Sequence, residues 1–396
     1  MNKQLLFLLL SLLFYDCQTP NSDEYITFQD DINFLQKHID DIEILESGES
    51  LIALSPKLQG RVFTTSNKGL QGRSLGYFDK ELIATKKAQK NISKIGGESR
   101  MWFGPEVGEF SIFFPPNVEQ VGENMKVSIG LDTTLFHLSD KKSDQISSSN
   151  TMYIQNTFGS SFQLEASRTI TILHSLQIEK ELGISLDNTC ANVGFSTSTT
   201  IKNIGNKQWK KESGLLPIWD LGCFHPSKNQ WAIVPSSNSK LDTVTNYFTD
   251  QKGRVMIKNG VAFYKVDANY LNKMGIPKED VTPVMGSYSP EMNLLTIVKY
   301  SFEENNDDLY VSSEWGSDKN YDGDVMNIFN GEVNPSLDRN WPFFELESFS
   351  PAKELIPNDT ITHEVQVYHF TGKKDELSKI SESVLGVSLF NAPFSN

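Results

Sequence analysis

The sequence predicts an all-β protein, built as a sandwich of antiparallel sheets behind one short N-terminal helix. More than ten short runs alternate apolar and polar residues with period two, and they end at Gly, Asn, Asp, Ser or Pro. These runs are rich in β-branched and aromatic side chains, and few helical patterns interrupt them. A chain of 396 residues, 38% of them hydrophobic, can also bury the large core that two packed sheets need.

The first residues have the pattern of an export signal. In MNKQLLFLLLSLLFYDC a lysine precedes an apolar run over residues 5–15. A helix that spans a bilayer needs about 20 residues, so this run fits a secretory signal instead. We predict a lipoprotein-type signal over 1–17, lipidation of Cys17 and a polar linker over 18–24. The protein would then be a membrane-anchored lipoprotein of the periplasm or outer membrane; ordinary cleavage without a lipid is the alternative.

The segment after the linker predicts a helix. In FQDDINFLQKHIDDIEIL, Phe28, Ile32, Leu35 and Ile39 recur at a spacing of three or four, with acidic residues opposite. The end of this segment, IEILE, already alternates like a strand. From Ser50 onwards the period-two runs take over.

Three later segments depart from that alternation. KKSDQISSSN, residues 141–150, predicts a surface loop between strands. YLNKMGIPKEDV predicts a helical turn, and DELSKISESVL predicts a short helix with Leu377, Ile380 and Val384 on one face. No repeat or Pro- or Ser-rich linker divides the rest, so we predict one domain over residues 25–396.

Charge and cysteine content narrow the function classes. The formal net charge is -14 and no basic cluster is present, which disfavours nucleic acids and anionic lipid surfaces as partners. Membrane contact is therefore expected through a lipid anchor alone.

The two remaining cysteines allow two states. Cys190 and Cys223 could form one disulfide or remain buried thiols. We favour thiols, because a core this large needs no covalent staple.

Several phrases carry a resemblance to a known group of proteins. LQGRVFTTSN, GGESRMWFGPEVGEFSIFF, GLLPIWDLGCFHPS and FFELESFSPAKELIPNDTITHEVQVYHFTG resemble an uncharacterised family of exported bacterial proteins in the galactose-mutarotase-like superfamily. The resemblance runs from about Leu51 to His369. It implies a supersandwich of long antiparallel strands with a sugar site on a concave face. In mutarotases of this superfamily, a glutamate and a histidine open and close the sugar ring by general acid–base catalysis.

The stretch GGESRMWFGPE offers substrate-binding residues. Arg100 and Trp102 are two apart, so on a strand they face the same side. A planar fork of donors beside a flat ring suits the hydroxyls and the apolar face of a sugar. Glu106 could accept a hydrogen bond from a hydroxyl, and we add Trp219 as a further ring. The alternative is a structural corner with Arg100 stacked on Trp102; the resemblance favours the sugar site.

The stretch FFELESFSP offers catalytic carboxylates. Glu345 and Glu347 alternate with other residues, so both lie on one face of a strand. Two acids on one face can differ in pKa, as acid–base chemistry needs. The resemblance implies that Glu347 is the base, although Ser348 and Phe349 stand where mutarotases have Thr-Gln. A solvated pair on an exposed strand is the alternative.

No histidine matches the mutarotase pattern. His225 in WDLGCFHPS, close to Trp219 and Asp220, is our candidate for the acid. His363 and His369 are six apart and would share one side of a regular strand. Patterns of paired zinc-ligating histidines are absent from the sequence, so a zinc site is not predicted.

A half-formed calcium motif is the one sign of a cofactor. In SDKNYDGDV, Asp318, Asn320 and Asp322 match the first half of a calcium loop, but Phe329 stands where the closing glutamate belongs. A turn stabilised by Asx side chains is the alternative and the one we favour. We therefore predict no cofactor, with calcium as the exception to test.

Together these observations predict an exported carbohydrate-binding protein whose partner is a mono- or oligosaccharide. The first hypothesis is an aldose epimerase in which Glu347 and His225 exchange protons with the sugar and Glu345 assists. The second is a surface glycan-binding lipoprotein without activity. A polysaccharide lyase or hydrolase that uses the paired carboxylates is a third and weaker hypothesis.

Overall fold

The computed structural model describes residues 25–85, 95–132, 134–251, 253–305, 307–337 and 339–394. The predicted signal, the linker and Cys17 lie outside the described residues. The strands pair antiparallel in all three sheets. The predicted all-β sandwich behind a short N-terminal helix is therefore confirmed.

Helices are few and short beside the strands. The described helices are α1 (Phe28–His38), α2 (Lys80–Thr85), α3 (Ile129–Asp132), α4 (Ser175–Leu182) and α5 (Lys374–Leu385). The described strands are β1 (Glu43–Ser47), β2 (Ser50–Ser55), β3 (Arg61–Ser66), β4 (Arg100–Phe103), β5 (His137–Lys141), β6 (Gln145–Gln155), β7 (Ser161–Leu173), β8 (Ala191–Asn203), β9 (Ile218–Phe224), β10 (Trp231–Pro235), β11 (Thr245–Asn246), β12 (Val255–Lys258), β13 (Val261–Lys265), β14 (Asn269–Pro277), β15 (Val284–Ser289), β16 (Leu294–Tyr300), β17 (Asp324–Asn334), β18 (Arg339–Asn340), β19 (Phe344–Phe349) and β20 (Thr360–Thr371).

The strands form three sheets. The first is a small sheet, β1-β2-β3. The ten-stranded sheet has the order β12-β13-β10-β15-β16-β20-β8-β7-β6-β5. The seven-stranded sheet has the order β11-β14-β17-β19-β9-β4, with β18 paired to β17. Neighbours distant in sequence, such as β19 beside β9, bring separate segments of the chain together.

The main core lies between the two large sheets. Phe162, Leu164 and Phe195 of the ten-stranded sheet pack in one cluster with Met274 and Leu346 of the seven-stranded sheet. Alternate residues of each strand point inward, as the period-two pattern predicts. The opposite face of the seven-stranded sheet is thereby left to carry other side chains.

Buried polar groups also join the two large sheets. Arg168 of β7 pairs with Asp220 of β9, with Nη2 at 2.6 Å from Oδ2, and both side chains are buried. His363 of β20 makes hydrogen bonds of 2.9 Å to Ser348 of β19 and 3.0 Å to Ser301. Burial lowers the pKa of His363 to about 3, so the ring is neutral near pH 7.

Helices cover the remaining apolar faces. Ile178 of α4 and Leu377 and Ile380 of α5 pack in one cluster with Tyr368 and Phe370 of β20. The predicted short helix near the C-terminus is confirmed as α5, which ends at Gly386 in the left-handed conformation.

The first turn of α1 is capped by side chains of its own sequence. The Thr27 hydroxyl accepts a hydrogen bond of 3.1 Å from the Asp30 backbone, while Asp30 accepts one of 3.0 Å from the Thr27 backbone. This reciprocal cap satisfies donors that a helix start leaves unpaired. Phe28 and Leu35 then pack against Phe63 of the small sheet. The strand predicted to follow the helix is confirmed as β1.

The predicted loop over residues 141–150 is wrong. Lys141 ends β5 and Gln145 begins β6, so the turn is confined to the residues between them. Ile146 and Ser148 are buried while their neighbours are half-buried. Hydrogen bonds from β5 and β7 hold this serine-rich strand on both sides. Tertiary pairing has overridden a composition that favours loops.

The predicted helical turn in YLNKMGIPKEDV is also wrong. Residues 270–277 of this stretch belong to β14, which pairs along β17 with a register shift after Asn269, and residues 278–280 form a turn between strands. Asn272 and Lys273 are buried in this strand. Two buried polar side chains in succession hide the alternation on which a strand prediction depends.

Two further expectations concern the thiols and the membrane. Cys190 and Cys223 are both buried and free, as expected for a large core. Among the described residues, no helix has the length and apolar character to cross a bilayer.

Candidate functional site

The outward face of the seven-stranded sheet carries a group of charged side chains. Glu345 of β19 lies opposite Phe329 of β17, which lies opposite Lys273 of β14. Directly opposed residues in an antiparallel pair share a face. Lys273 and Glu345 therefore belong to the same face, although one strand, β17, lies between theirs and they are 72 positions apart in the sequence.

The next strands extend this face. Leu221 of β9 lies opposite Glu347 of β19 on one side and opposite Arg100 of β4 on the other. Trp219 of β9 and Trp102 of β4 lie opposite each other, two residues further along the same pair of strands. Five side chains of this face were predicted as site residues, and the sheet order brings them together from three separate stretches: Arg100, Trp102, Trp219, Glu345 and Glu347.

These residues line one cavity of about 710 Å³. Its charged lining consists of Arg100, Lys273, Glu106, Glu345 and Glu347. Its aromatic lining consists of Trp102, Trp219, Phe248, Trp315, Phe329, Trp341 and Phe343. A largely apolar cleft with a few convergent polar groups is the usual form of a small-molecule site.

Arg100 and Glu345 form one buried ion pair in the cavity. Nη2 of Arg100 lies 2.6 Å from Oε1 of Glu345, and both residues are about 95% buried (5% and 6% exposed). The thiol of Cys223 donates a second hydrogen bond, of 3.0 Å, to the same oxygen. Nε and Nη1 of Arg100 have no hydrogen-bond partner among the described residues. A buried guanidinium with unused donors indicates room for an acceptor from a ligand.

Lys273 and Glu347 form a second buried pair. Nζ of Lys273 lies 2.8 Å from Oε2 of Glu347, and Nε1 of Trp219 donates to that oxygen at 3.0 Å. Burial raises the pKa of Glu347 to about 7, although the ammonium of Lys273 opposes the rise. Burial disfavours the charge on Lys273, but the carboxylates of Glu347 and Glu106 outweigh it and raise its pKa. A carboxyl group with this pKa can both take and give a proton near pH 7.

Aromatic rings surround both pairs. The Arg100 guanidinium lies 4.4 Å from the centre of the Trp102 ring, and the Lys273 ammonium lies 4.9 Å from that of Trp219. Trp315 and Phe248 also line the cavity but are 39% and 42% exposed. Exposed rings at a cleft offer flat apolar surfaces to the apolar face of a sugar.

The glycines before Arg100 shape the strand that carries it. Gly96 and Gly97 have φ of 84° and 110°, which L side chains rarely adopt. A Cβ at Gly97 would lie 2.6 Å from the carbonyl oxygen of Val62. Only glycine allows these two segments of the backbone to approach this closely, so the bend needs glycine at both positions.

Six of the seven predicted catalytic and substrate-binding residues line the cavity; His225 does not. It follows β9, is half-buried, and packs edge-to-face on Tyr77 at 5.6 Å between ring centres. Tyr77 in turn stacks on Phe343 at 5.1 Å, and Phe343 lines the cavity. His225 therefore cannot exchange a proton directly with a sugar in the cavity, because a catalytic acid must be within hydrogen-bond reach.

Lys273 is the functional candidate that sequence reasoning missed. It supplies a buried cation whose Nζ lies 2.8 Å from the Glu347 carboxylate. The signal in the sequence is weak: Lys273 follows Asn272 in NYLNKMGIP, a stretch that also carries Leu271, Met274 and Ile276. His363 and His369, which were expected to share one side of a strand, both lie in β20 and are buried.

The half-formed calcium motif has other partners. Asp322 pairs with Lys319 at 3.0 Å, and the Asn320 amide donates to Glu109 at 2.8 Å. In the part of the chain that the structure describes, no group of three or more His, Cys, Asp or Glu side chains is placed to hold a metal ion. Asp318, Asn320 and Asp322 thus sit in a turn stabilised by side-chain contacts, and calcium binding there stays a prediction.

Comparisons with known proteins identify the family and the fold. A family model described as "Family of unknown function (DUF6786)" matches residues 26–393. No curated protein is significantly similar to the sequence. Among solved structures, a candidate aldose 1-epimerase from Escherichia coli K12 is 11% identical with a TM-score of 0.50, over 83% of this chain and 98% of that one.

Two further structures extend the likeness. A candidate aldose 1-epimerase from Klebsiella pneumoniae is 10% identical with a TM-score of 0.50, over 87% of this chain and 86% of the other. A galactose mutarotase-like protein from Lactobacillus casei is 11% identical with a TM-score of 0.46, over 83% and 99%. At such identities the likeness of the first two shows a shared fold, and the chemistry must come from the cavity itself.

Proposed function

Because the chain belongs to the family of unknown function DUF6786 and has the fold of candidate aldose 1-epimerases, we propose that its cavity binds a sugar and interconverts its two anomers. One observation carries this proposal. The buried Glu347 carboxyl, with a pKa of about 7, lies 2.8 Å from the Lys273 ammonium in a cleft walled by aromatic rings. That pair supplies a base and an acid within reach of one ligand.

The proposed reaction opens and closes the sugar ring. Oε1 of Glu347 takes the proton from the anomeric hydroxyl, since Oε2 already accepts from Lys273 and Trp219. The bond between C1 and the ring oxygen breaks, C1 becomes a carbonyl carbon, and Lys273 gives a proton to the ring oxygen. After rotation about the C1–C2 bond, the ring oxygen attacks the other face of C1. Both protons return, so the two side chains end as they began.

Coupling between the two charges assists the proton transfers. In the resting site the carboxylates hold the pKa of Lys273 above its usual range, despite burial. When Glu347 accepts the anomeric proton, its negative charge is lost and Lys273 becomes a stronger acid. The ammonium therefore becomes ready to release its proton at the step that needs it.

The remaining lining positions the sugar. The unused donors Nε and Nη1 of Arg100 can reach ring hydroxyls after a small movement of the side chain. Glu106 and Glu345 accept hydrogen bonds, and Trp102 and Trp219 cover the apolar face of the ring. The predicted lipid anchor on Cys17 would place this chemistry at the cell envelope.

A sugar-binding protein without activity is the second candidate. It is favoured by the ion pairs themselves, because both Glu345 and Glu347 are already held by cations at 2.6 and 2.8 Å. Charges neutralised in this way can serve to position hydroxyls without moving protons. The two candidates differ in turnover and not in affinity.

The test is proton NMR of freshly dissolved single-anomer sugars, across a panel of hexoses, pentoses and short oligosaccharides. We expect the protein to accelerate the approach to anomeric equilibrium for at least one of them. Line broadening without acceleration would instead assign the second candidate. Absence of both effects across the panel would contradict the proposal that the cavity binds sugars.

The rate should depend on pH through Glu347. Only its ionised form can take a proton, and its pKa is about 7. We expect kcat/KM for anomer interconversion to rise roughly tenfold per pH unit below pH 7 and to level off above it. The measurement is the protein-dependent rate across this range after subtraction of the buffer rate. A midpoint near the ordinary glutamate pKa of about 4.3 would contradict the assignment.

The exposed rings predict a preference for longer sugars. Trp315 is 39% exposed at the cavity, where it can stack on a second sugar ring. We expect Trp315→Ala to weaken the affinity for a bound disaccharide or trisaccharide about 3- to 10-fold and to leave that for the monosaccharide unchanged. Calorimetric titration measures both. Phe390→Ala is the control, because Phe390 is 49% exposed but does not line the cavity; equal losses for all sugar lengths would refute the idea.

A further inference from the structure

A second cavity lies beside His225, at the end of β9 and against β16. Its volume is about 270 Å³, and none of its lining residues lines the first cavity. Leu75 and Phe224 give it apolar walls, while Gln230 and Thr296 give it polar ones. His225, which the proposed function leaves without a role, also lines it.

Gln230 holds an unused acceptor in this cavity. The residue is 2% exposed, and its Nε2 donates to the Ser287 hydroxyl at 3.2 Å. Its Oε1 has no hydrogen-bond partner among the described residues. A buried amide oxygen without a donor is costly, and native structures seldom leave one unpaired. Either orientation of the amide leaves one polar atom that a hydroxyl group could satisfy.

A chain of buried hydrogen bonds holds the Thr296 hydroxyl in place. Its hydroxyl lies 2.9 Å from Nδ1 of His369, and Nε2 of that ring lies 2.9 Å from Oε2 of Glu98. All three residues are buried. A carboxylate only accepts, so Nε2 of His369 donates to Glu98. The Thr296 hydroxyl is held at Nδ1 of the same ring, and its oxygen keeps a lone pair that can accept from a ligand.

The surroundings select the class of ligand. Charges of both signs act at the cavity: burial lowers the pKa of His225 and the Arg73 guanidinium, which lines the cavity, adds to this effect, whereas the carboxylates of Asp31 and Glu98 oppose it, so neither sign of ligand charge is favoured. The oxygens of Gln230 and Thr296 disfavour an anion at the buried end. The pKa of His225 is lowered on balance, so that ring adds no charge at neutral pH. A neutral compound with hydroxyl groups meets all of these conditions.

We propose that this second cavity binds a small neutral polyol or a single sugar ring, whose hydroxyls donate hydrogen bonds to Gln230 and Thr296. Leu75 and Phe224 would cover the apolar C–H face of the ligand, as apolar side chains do in sugar sites. The site is separate from the Glu347 cavity and would be occupied whether or not that cavity is catalytic.

The test uses glycerol and D-glucose as probes, with calorimetric titration and saturation-transfer NMR on four forms of the protein: the native chain, Gln230→Met, Thr296→Val and Glu347→Gln. Both second-cavity changes keep the shape of the side chain and remove its polar atoms. Glu347→Gln alters only the first cavity, so it should leave the affinity of a probe bound at the second cavity unchanged. Gln230→Met and Thr296→Val should each weaken that binding about 3- to 10-fold.

Thr296→Ser is the matched control, because it keeps the hydroxyl and should keep the affinity. Thermal unfolding of each variant shows whether it is folded, and Gln230→Met decides the question if Thr296→Val does not fold. The proposal is overturned if neither probe binds the Glu347→Gln protein. It is equally overturned if both second-cavity variants bind as tightly as the native chain, which would leave water as the occupant.

Discussion

Glu347→Gln is expected to lower the protein-dependent rate of anomer interconversion by about 10²- to 10⁴-fold. Glutamine has nearly the same shape and its amide oxygen can still accept from Lys273 and Trp219, which hold Oε2 at 2.8 and 3.0 Å. It cannot take a proton from the anomeric hydroxyl. The loss should therefore fall on kcat, while the affinity for the sugar changes by a few-fold at most.

Glu345→Gln is the matched control for this variant. Glu345 lies two residues away on the same face, but its Oε1 is held by Arg100 and by the Cys223 thiol, and the proposed mechanism gives it no proton to carry. We expect its effect to fall mainly on KM. Equal losses of kcat in both variants would contradict the assignment of the base, and an unchanged rate in Glu347→Gln would remove Glu347 from the mechanism.

Arg168→Met is expected to lower the free energy of unfolding by about 3–5 kcal/mol. Arg168 is fully buried and pairs with Asp220 across the two large sheets at 2.6 Å. Burial lowers the pKa of Arg168 and raises that of Asp220, so each charge depends on the other. Methionine would fill the space but would leave the Asp220 carboxylate without its cation in the core.

Urea unfolding at neutral pH measures this effect. The double variant Arg168→Met, Asp220→Asn removes both charges and should recover part of the loss, because no unpaired ion remains. Lys319→Met is the exposed control: its partner Asp322 lies 3.0 Å away with both side chains more than 65% exposed, and no measurable change is expected. A small loss in Arg168→Met would show that water already reaches Asp220.

Residues that share a strand were predictable from the sequence. Arg100 and Trp102, and Glu345 and Glu347, are each two apart, and alternation alone placed each pair on one face. The resemblance then suggested that the two stretches meet. The all-β sandwich followed in the same way, because each strand carries its own apolar side in its own residues.

Residues that depend on pairing between distant strands were not predictable in this way. Lys273 reaches Glu347 through the order β14-β17-β19, which no local pattern encodes. His225 was chosen because Trp219 and Asp220 precede it, but β9 ends at Phe224, so His225 does not continue the cavity-facing side of that strand. A serine-rich strand such as β6 is fixed by hydrogen bonds from its neighbours and not by its composition.

The alternation of cavity-facing and core-facing side chains along β19 has a consequence for the evolution of this protein. Leu346 and Ser348 face the core and the buried histidine, whereas Glu345 and Glu347 face the cavity. Mutation can therefore exchange the cavity-facing residues and alter the ligand or the reaction while the core-facing residues keep the fold. Insertion of a single residue would do the opposite, since it would turn both carboxylates into the core at once. Diversification within the family should consequently proceed by substitution at alternate positions of β19, with the length of that strand held constant.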